Sequence, residues 1–389
     1  MPACRGNAAA GGAARTLLEQ RIRERRMTFE EFVRWAEEFA RKEKEPGTLS
    51  LRHLQHLVAG RAHGSPRPAT ARLLERIFGD NINDLLAPMS DLPKSDGDPS
   101  SELRRMLHSA RRVDHAVLAL LHEQLDAIRR LDRQLGAVVV HEELRVKIGQ
   151  VTKLMSHSLV PGTTEPLAAL LSEMHTLAGW QTLDMGNVTQ SWSYYEHSKA
   201  AAARTGSVAY EAHAAAEQSF VLLDAGEETD AVALLADAGR RAEQSVPRVL
   251  RAWLGAAHGE ALAVAGDRSG SLRTFDRAAA LLPHGDTTTE RPYVALDTVH
   301  LARWRGHALA RFGDADAVEV LTNALAKLDS SFVRAETSLR VDLATALATR
   351  GERDEARDQA EQAGILAAQL GSARQDRRLR GLSASLAFG

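Results

Sequence analysis

Apolar residues recur at helical spacing through almost the whole chain, and between Gly186 and Ala363 one grammar of glycine, small and bulky positions appears five times. Each unit has a glycine, a small residue about five positions on, a bulkier residue near nine and a small residue near twelve. The units are Gly186 with Ser191, Tyr195 and Ser198; Gly226 with Ala231, Leu235 and Ala238; Gly266 with Ser271, Phe275 and Ala278; Gly313 with Ala317, Leu321 and Ala324; and Gly351 with Ala356, Ala360 and Ala363. The glycines are 40, 40, 47 and 38 residues apart. A glycine there ends a helix in the left-handed backbone region without a Cβ penalty. Small residues in the next helix let the two pack closely. The pattern predicts paired helices stacked into a solenoid with a concave face, an architecture that holds something and brings no chemistry of its own.

Upstream, Val117, Leu120, Leu121, Leu125, Ile128, Leu131 and Leu135 predict one long helix with an apolar stripe. Five short helical patterns precede it. Leu17, Leu18 and Ile22 share a face of the first, and Thr28 with Glu31 forms a capping box opening the second. Ser50 caps a third, whose inward side is Leu51, Leu54, Leu57 and Val58. Pro68 opens a fourth, and NINDLLAP supplies a last short turn. The expected organisation is a disordered lead-in (1–14), a helical head (15–88) and a Pro/Ser/Asp-rich linker (89–101). Connecting helices (102–160) and the solenoid (161–389) follow, the latter closed by a terminal capping helix.

Composition fits an all-α chain: aromatics are 5%, and alanine-rich runs such as AYEAHAAAEQ favour helix over sheet. No apolar stretch approaches the roughly 18–20 residues of a membrane span, and the N-terminus lacks a secretory apolar core, so a cytoplasmic protein without a membrane partner is expected. The single cysteine, Cys4, permits no internal disulfide. Charge is uneven: residues 1–90 hold 15 Lys+Arg against 11 Asp+Glu, whereas the rest holds 34 against 40. A basic head on an acidic body suits a polyanion-binding module joined to a receptor.

The head resembles the lambda-repressor/Cro, or XRE, helix-turn-helix domain. The resemblance rests on MTFEEFVRWA (27–36), SLRHLQHLVAGR (50–61), Arg67 with Pro68, and Asp84 with Leu85 and Leu86, in the family's order over about 70 residues. Phe29 stands where that family often has a phosphate-contacting glutamine, and the second helix runs longer than usual. The resemblance implies double-stranded DNA as partner and a homodimer spanning two half-sites. On a recognition helix, the residues opposite the apolar stripe reach the groove floor, here Arg52, His53, Gln55 and His56. Ser50 sits where helix amides favour phosphate, and Arg61 and Arg67 would neutralise phosphates.

The body resembles tetratricopeptide repeats, including a closing proline in its third unit, Pro283. Head and body together are similar to actinobacterial XRE regulators with tetratricopeptide bodies, which implies transcriptional control and a peptide or small-molecule effector. Groove candidates come from the start of the array and the first helix of each pair: Gln181, Asp184, Asn187, Tyr194, Tyr195, His213, Gln218, His258 and His307. Trp180, Trp253 and Trp304 are further candidates, with Trp180 and Trp253 read as packing anchors. His53, His56 and His63 have no cysteine or carboxylate cluster to complete a metal site. No P-loop, HExxH, GxGxxG or nucleophile elbow occurs, so neither cofactor nor catalysis is expected. The competing expectation is an interaction scaffold whose head docks a protein.

Overall fold

The computed structural model of the protein describes residues 14–25, 27–43, 45–59, 66–87, 99–242, 246–282 and 291–388. Cys4 with nearly all of the lead-in, Arg61, His63, most of the linker and Pro283 lie outside the described residues. Among the described residues every regular element is an α-helix. Two compact units emerge, Met1–Leu103 and Arg104–Gly389.

The first unit holds α1 (Leu17–Glu24), α2 (Phe29–Lys42), α3 (Leu51–Val58), α4 (Pro68–Phe78) and α5 (Ile82–Leu86), while α6 (Pro99–Arg111) runs across the boundary. Their starts follow from side-chain capping. Glu31 N–H donates to Thr28 Oγ1 at 3.2 Å while Glu31 Oε2 accepts from Thr28 N–H at 2.8 Å, a reciprocal box. Ser50 Oγ accepts the His53 amide at 3.2 Å, and Pro68 occupies the first turn of α4. The inward stripes, Leu18, Ile22, Phe32, Leu54, Leu57, Leu73, Leu74 and Leu85, form one core.

The second unit is a run of antiparallel pairs. These are α7 (His115–Leu135) with α8 (Ala137–Ser156), α9 (Pro161–Asp184) with α10 (Val188–Ala203), and α11 (Val208–Ala225) with α12 (Glu228–Ala242). Then come α13 (Arg248–Val264) with α14 (Arg268–Leu281), α15 (Thr298–Arg311) with α16 (Ala317–Lys327), and α17 (Val333–Thr349) with α18 (Arg353–Leu370), followed by α19 (Ala373–Phe388). The five repeat glycines are the turns inside the last five pairs, all with φ between +64 and +83°. After each, the next amide reaches back to close the helix: Asn187 to Thr182 O (2.8 Å), Glu227 to Leu222 O, Asp267 to Leu262 O (both 2.9 Å), Asp314 to Leu309 O and Glu352 to Leu347 O (both 3.0 Å).

The other repeat positions set the packing register. Ser191 and Ser271 donate to the carbonyls of Gly179 and Gly259, both at 2.7 Å. The bulky position then lies over a glycine of the preceding helix. A Cβ on Gly179 would come within 2.9 Å of the Tyr195 ring, and one on Gly259 within 2.9 Å of Phe275. Leu321 sits likewise over Gly306. Burying each of these large side chains contributes about 1.5–3 kcal/mol.

The N-terminal stripe departs from expectation. Leu125 and Ile128 of α7 are buried, but Leu120, Leu131 and Leu135 are exposed. The reason is that α7 meets α8 and α9 on one side and α17 on another, and a charged residue, Asp132, occupies part of its inward face. Helices α7 and α8 share one core with α9, so they begin the array and are not a separate connector. The last pair returns to the first helix: α17 and α18 both touch α7, and α19 touches α9. At that seam Gly136 approaches Leu370 so closely that a Cβ would meet its carbonyl oxygen at 2.2 Å. The body is therefore a solenoid closed on itself. Helix α19 does more than cap the end, because its arginines turn toward the interior of the turn.

Candidate functional site: a cavity on the concave face

The first helices of the pairs point one face inward, around a cavity of about 450 Å³. On α15 that face is His300, Arg303, Trp304, His307 and Arg311, at i, i+3, i+4, i+7 and i+11; on α11 it is His213, Glu217, Phe220 and Asp224. Helix α7 adds Arg129, Asp132 and Arg133, and α19 adds Arg374, Gln375, Arg377 and Arg378.

One wall is aromatic. Trp180, Phe220, Trp253 and Trp304 meet edge to face with centroids 6.0–6.3 Å apart. Arg374 stacks on Trp180 at 5.4 Å, and His213 lies 5.1 Å from Trp253. At the opposite side Arg129 covers Tyr293 and Arg133 covers Phe332, both at 4.6 Å.

Between these lie buried ion pairs that cross the closure. Arg334 binds Asp132 through two hydrogen bonds, and Arg374 Nε donates to Asp224 at 2.8 Å. Asp342 accepts from His307 Nδ1 at 2.7 Å and from Arg378. Burial alone would raise the Asp342 carboxyl, but His307 and Arg378 hold it well below the usual range. Glu173 behaves the same way: burial raises it, and Arg129 with Arg291 overrides that and keeps it charged. Burial pushes the Arg303 guanidinium down, and no described carboxylate pairs with it. Several dry polar atoms around the cavity have no hydrogen-bond partner: His213 Nε2, Asp224 Oδ2, His300 Nε2, Arg303 Nε and Asp342 Oδ2.

Of the residues expected in the groove, His213 and His307 line this cavity. Gln181, Asp184, Tyr195 and Gln218 are fully buried elsewhere in the packing. Gln181 donates to Asp132 Oδ1 at 2.9 Å, and Asp184 accepts from Ser372 at 2.6 Å. Gln218 bonds Lys199 and Glu196. Asn187 is the exposed N-cap of α10, Tyr194 packs against His141 and His175, and His258 is half-buried off the cavity. Trp180, Trp253 and Trp304 all line the space, so the tryptophans read as packing anchors are also its wall. Missed by sequence reasoning were the charged groups Arg129, Asp132, Arg303, Arg334, Asp342, Arg374 and Arg378. Their signal is an arginine or carboxylate falling in phase with an otherwise apolar helix face.

In the head, Ser50, Arg52, Gln55, His56 and Arg67 are exposed and His53 is half-buried. The hydroxyl of Ser50 is engaged in capping α3. Arg61 lies outside the described residues. No cluster of three or more metal-ligating side chains occurs among the described residues, and no described helix is long and apolar enough to cross a membrane.

No protein-family profile matches the chain, and no curated protein matches it. Among solved structures it is similar to the TPR-like repeats of a Podosopora anserina kinesin light chain, at 19% identity and TM-score 0.34, over 52% of this chain and 96% of that one. It is also similar to a Rap protein complexed with competence and sporulation factor, at 16% identity and TM-score 0.37, over 86% of this chain and 96% of that one. Both superpositions are loose, and the helix-pair architecture stands on its own turns and packing.

Proposed function

We propose that the body is a receptor taking a small molecule or a few residues of peptide into its central cavity, and that the head is a helix-turn-helix binding double-stranded DNA as a homodimer. The observation carrying the receptor half is the set of dry polar atoms without a hydrogen bond around one space, on His213, Asp224, His300, Arg303 and Asp342. Buried polar groups in native proteins are nearly always paired. Several buried atoms that still lack a hydrogen bond around a single cavity of about 450 Å³ are what a site looks like whose remaining partners arrive with a ligand. Full-length protein titrated with N-phenyl-1-naphthylamine, an uncharged apolar fluorophore, should show one site with energy transfer from tryptophan. Ala335→Trp fills the cavity and should abolish it. Absence of binding, or binding that survives Ala335→Trp, sinks the receptor reading.

The DNA half is supported by Arg52, Gln55 and His56, exposed along α3 away from Leu54, Leu57 and Val58. Selection from random duplexes should enrich two half-sites about one helical turn apart. The second reading, a scaffold whose head docks a protein, is favoured by Phe29, which packs half-buried at the start of α2 and offers no polar contact to phosphate. Failure to enrich any duplex, with an intact head, would favour that reading.

A further inference from the structure

Eight arginines and six carboxylates line the cavity, and most of the arginines are already spoken for. Arg129, Arg334, Arg374, Arg377 and Arg378 each meet a carboxylate within the body. Arg133 lies on Phe332, and Arg311 is exposed to water. Arg303 differs from all of them. It is half-buried on α15 with its Nε dry and without an acceptor, and its guanidinium carbon lies 5.9 Å from the centroid of the Trp304 ring. Glu260 and Asp342 attract it without bonding it, and Asp342 is occupied by His307 and Arg378. A guanidinium cannot relieve this by losing its proton. A half-buried guanidinium that faces the cavity with no bonded acceptor has hydrogen-bond donors to offer an anion.

Resting on the receptor reading, we propose that the ligand is an organic anion: a carboxylate or sulfonate group paired with Arg303, and an apolar body laid on the wall of Trp180, Phe220, Trp253 and Trp304. The planar fork of arginine matches a two-oxygen anion bidentately. The tryptophan beside Arg303 is its sequence neighbour, so polar and apolar ends of one small molecule would be held by adjacent residues of one helix. Glu260, half-buried on α13, keeps the pocket from accepting a second negative charge nearby, which points to a single anionic group.

The test compares two fluorophores with the same aromatic body. 8-Anilinonaphthalene-1-sulfonate carries the anion and N-phenyl-1-naphthylamine does not. The full chain should bind the sulfonate about ten- to hundredfold more tightly. Arg303→Met should erase that preference while leaving the amine's affinity unchanged, and Arg303→Lys should restore part of it by keeping the charge without the fork. Arg303→Met should also raise the melting temperature of the unliganded protein, which separates loss of binding from loss of folding. Arg240→Met, on an exposed surface, should change nothing. If the amine binds and Ala335→Trp blocks it, yet the sulfonate binds no more tightly or its preference survives Arg303→Met, the anion inference is overturned and the receptor reading stands. If the amine does not bind, or binds despite Ala335→Trp, the receptor reading fails and takes this inference with it.

Discussion

Arg334 and Asp132, 202 positions apart in the chain, meet in a buried bidentate pair, with Arg334 Nη2 2.8 Å from Asp132 Oδ1. The pair joins α17 to α7 and so closes the solenoid; Gln181 donates to the same carboxylate oxygen, and Asp184 lies 3.3 Å from Arg334 Nε. Removing one partner strands a charge in the interior, at a cost of about 3–5 kcal/mol. Asp132→Leu should therefore destabilise the body strongly in urea unfolding. Adding Arg334→Met to it should cost less than Arg334→Met costs alone, because Asp132 no longer stands opposite without its cation. Equal and additive losses would show that the pair does not couple the two ends.

Glycines of the array are required for two different reasons. Gly266 has φ +83° with open space around its absent Cβ, so Gly266→Val should cost about 1–3 kcal/mol through backbone strain alone. Gly259 sits mid-helix, where alanine would ordinarily gain up to about 1 kcal/mol. Its Cβ would meet the Phe275 ring at 2.9 Å, so Gly259→Ala should destabilise. Hydrogen exchange should report both losses around α13 and α14 and leave the head unchanged, since a solenoid repeat touches mainly its neighbours. A Gly259→Ala variant more stable than the parent would refute the knob-over-glycine packing.

Burial, with His197 alongside, pushes His175 down to about 4 from an ordinary 6.5. The unfolded chain then binds a proton that the folded chain refuses between those values, so stability should fall as pH drops from about 6.5 toward 4, by on the order of 3 kcal/mol at most. His258, lowered by burial and by Arg277, acts in the same direction. Urea midpoints at pH 7, 6, 5 and 4.5 should show the slope, and His175→Leu should flatten it. An unchanged slope would mean that His175 is accessible to protons in the fold.

In the head, Arg52→Ala with Gln55→Ala should remove sequence preference for duplex DNA while sparing weak binding to any duplex. Arg67→Ala should weaken all sequences alike and lower the slope of log affinity against log salt by about one. Gel shifts at several salt concentrations measure both. If the double substitution leaves selectivity intact, base contacts lie elsewhere than α3.

The array was legible in the chain because its turns are local. A left-handed glycine, a small residue and a bulky one at fixed offsets are short-range requirements of two helices meeting, and Gly186, Gly226, Gly266, Gly313 and Gly351 all occupy such turns. Capping at Thr28, Ser50 and Pro68 is local for the same reason. The groove residues were not legible to that degree. Gln181 and Asp184 have the polarity expected of ligand contacts, yet the return of α17 and α19 to the start of the array buries both in the seam. Whether a polar residue on an inward face bonds a ligand or another part of the chain depends on what stands opposite. For Asp132 that is Arg334, and for Arg303 it is an empty space beside Trp304. Helical periodicity decides which side of a helix faces in; only closure of the ring decides which of those inward charges are left unpaired.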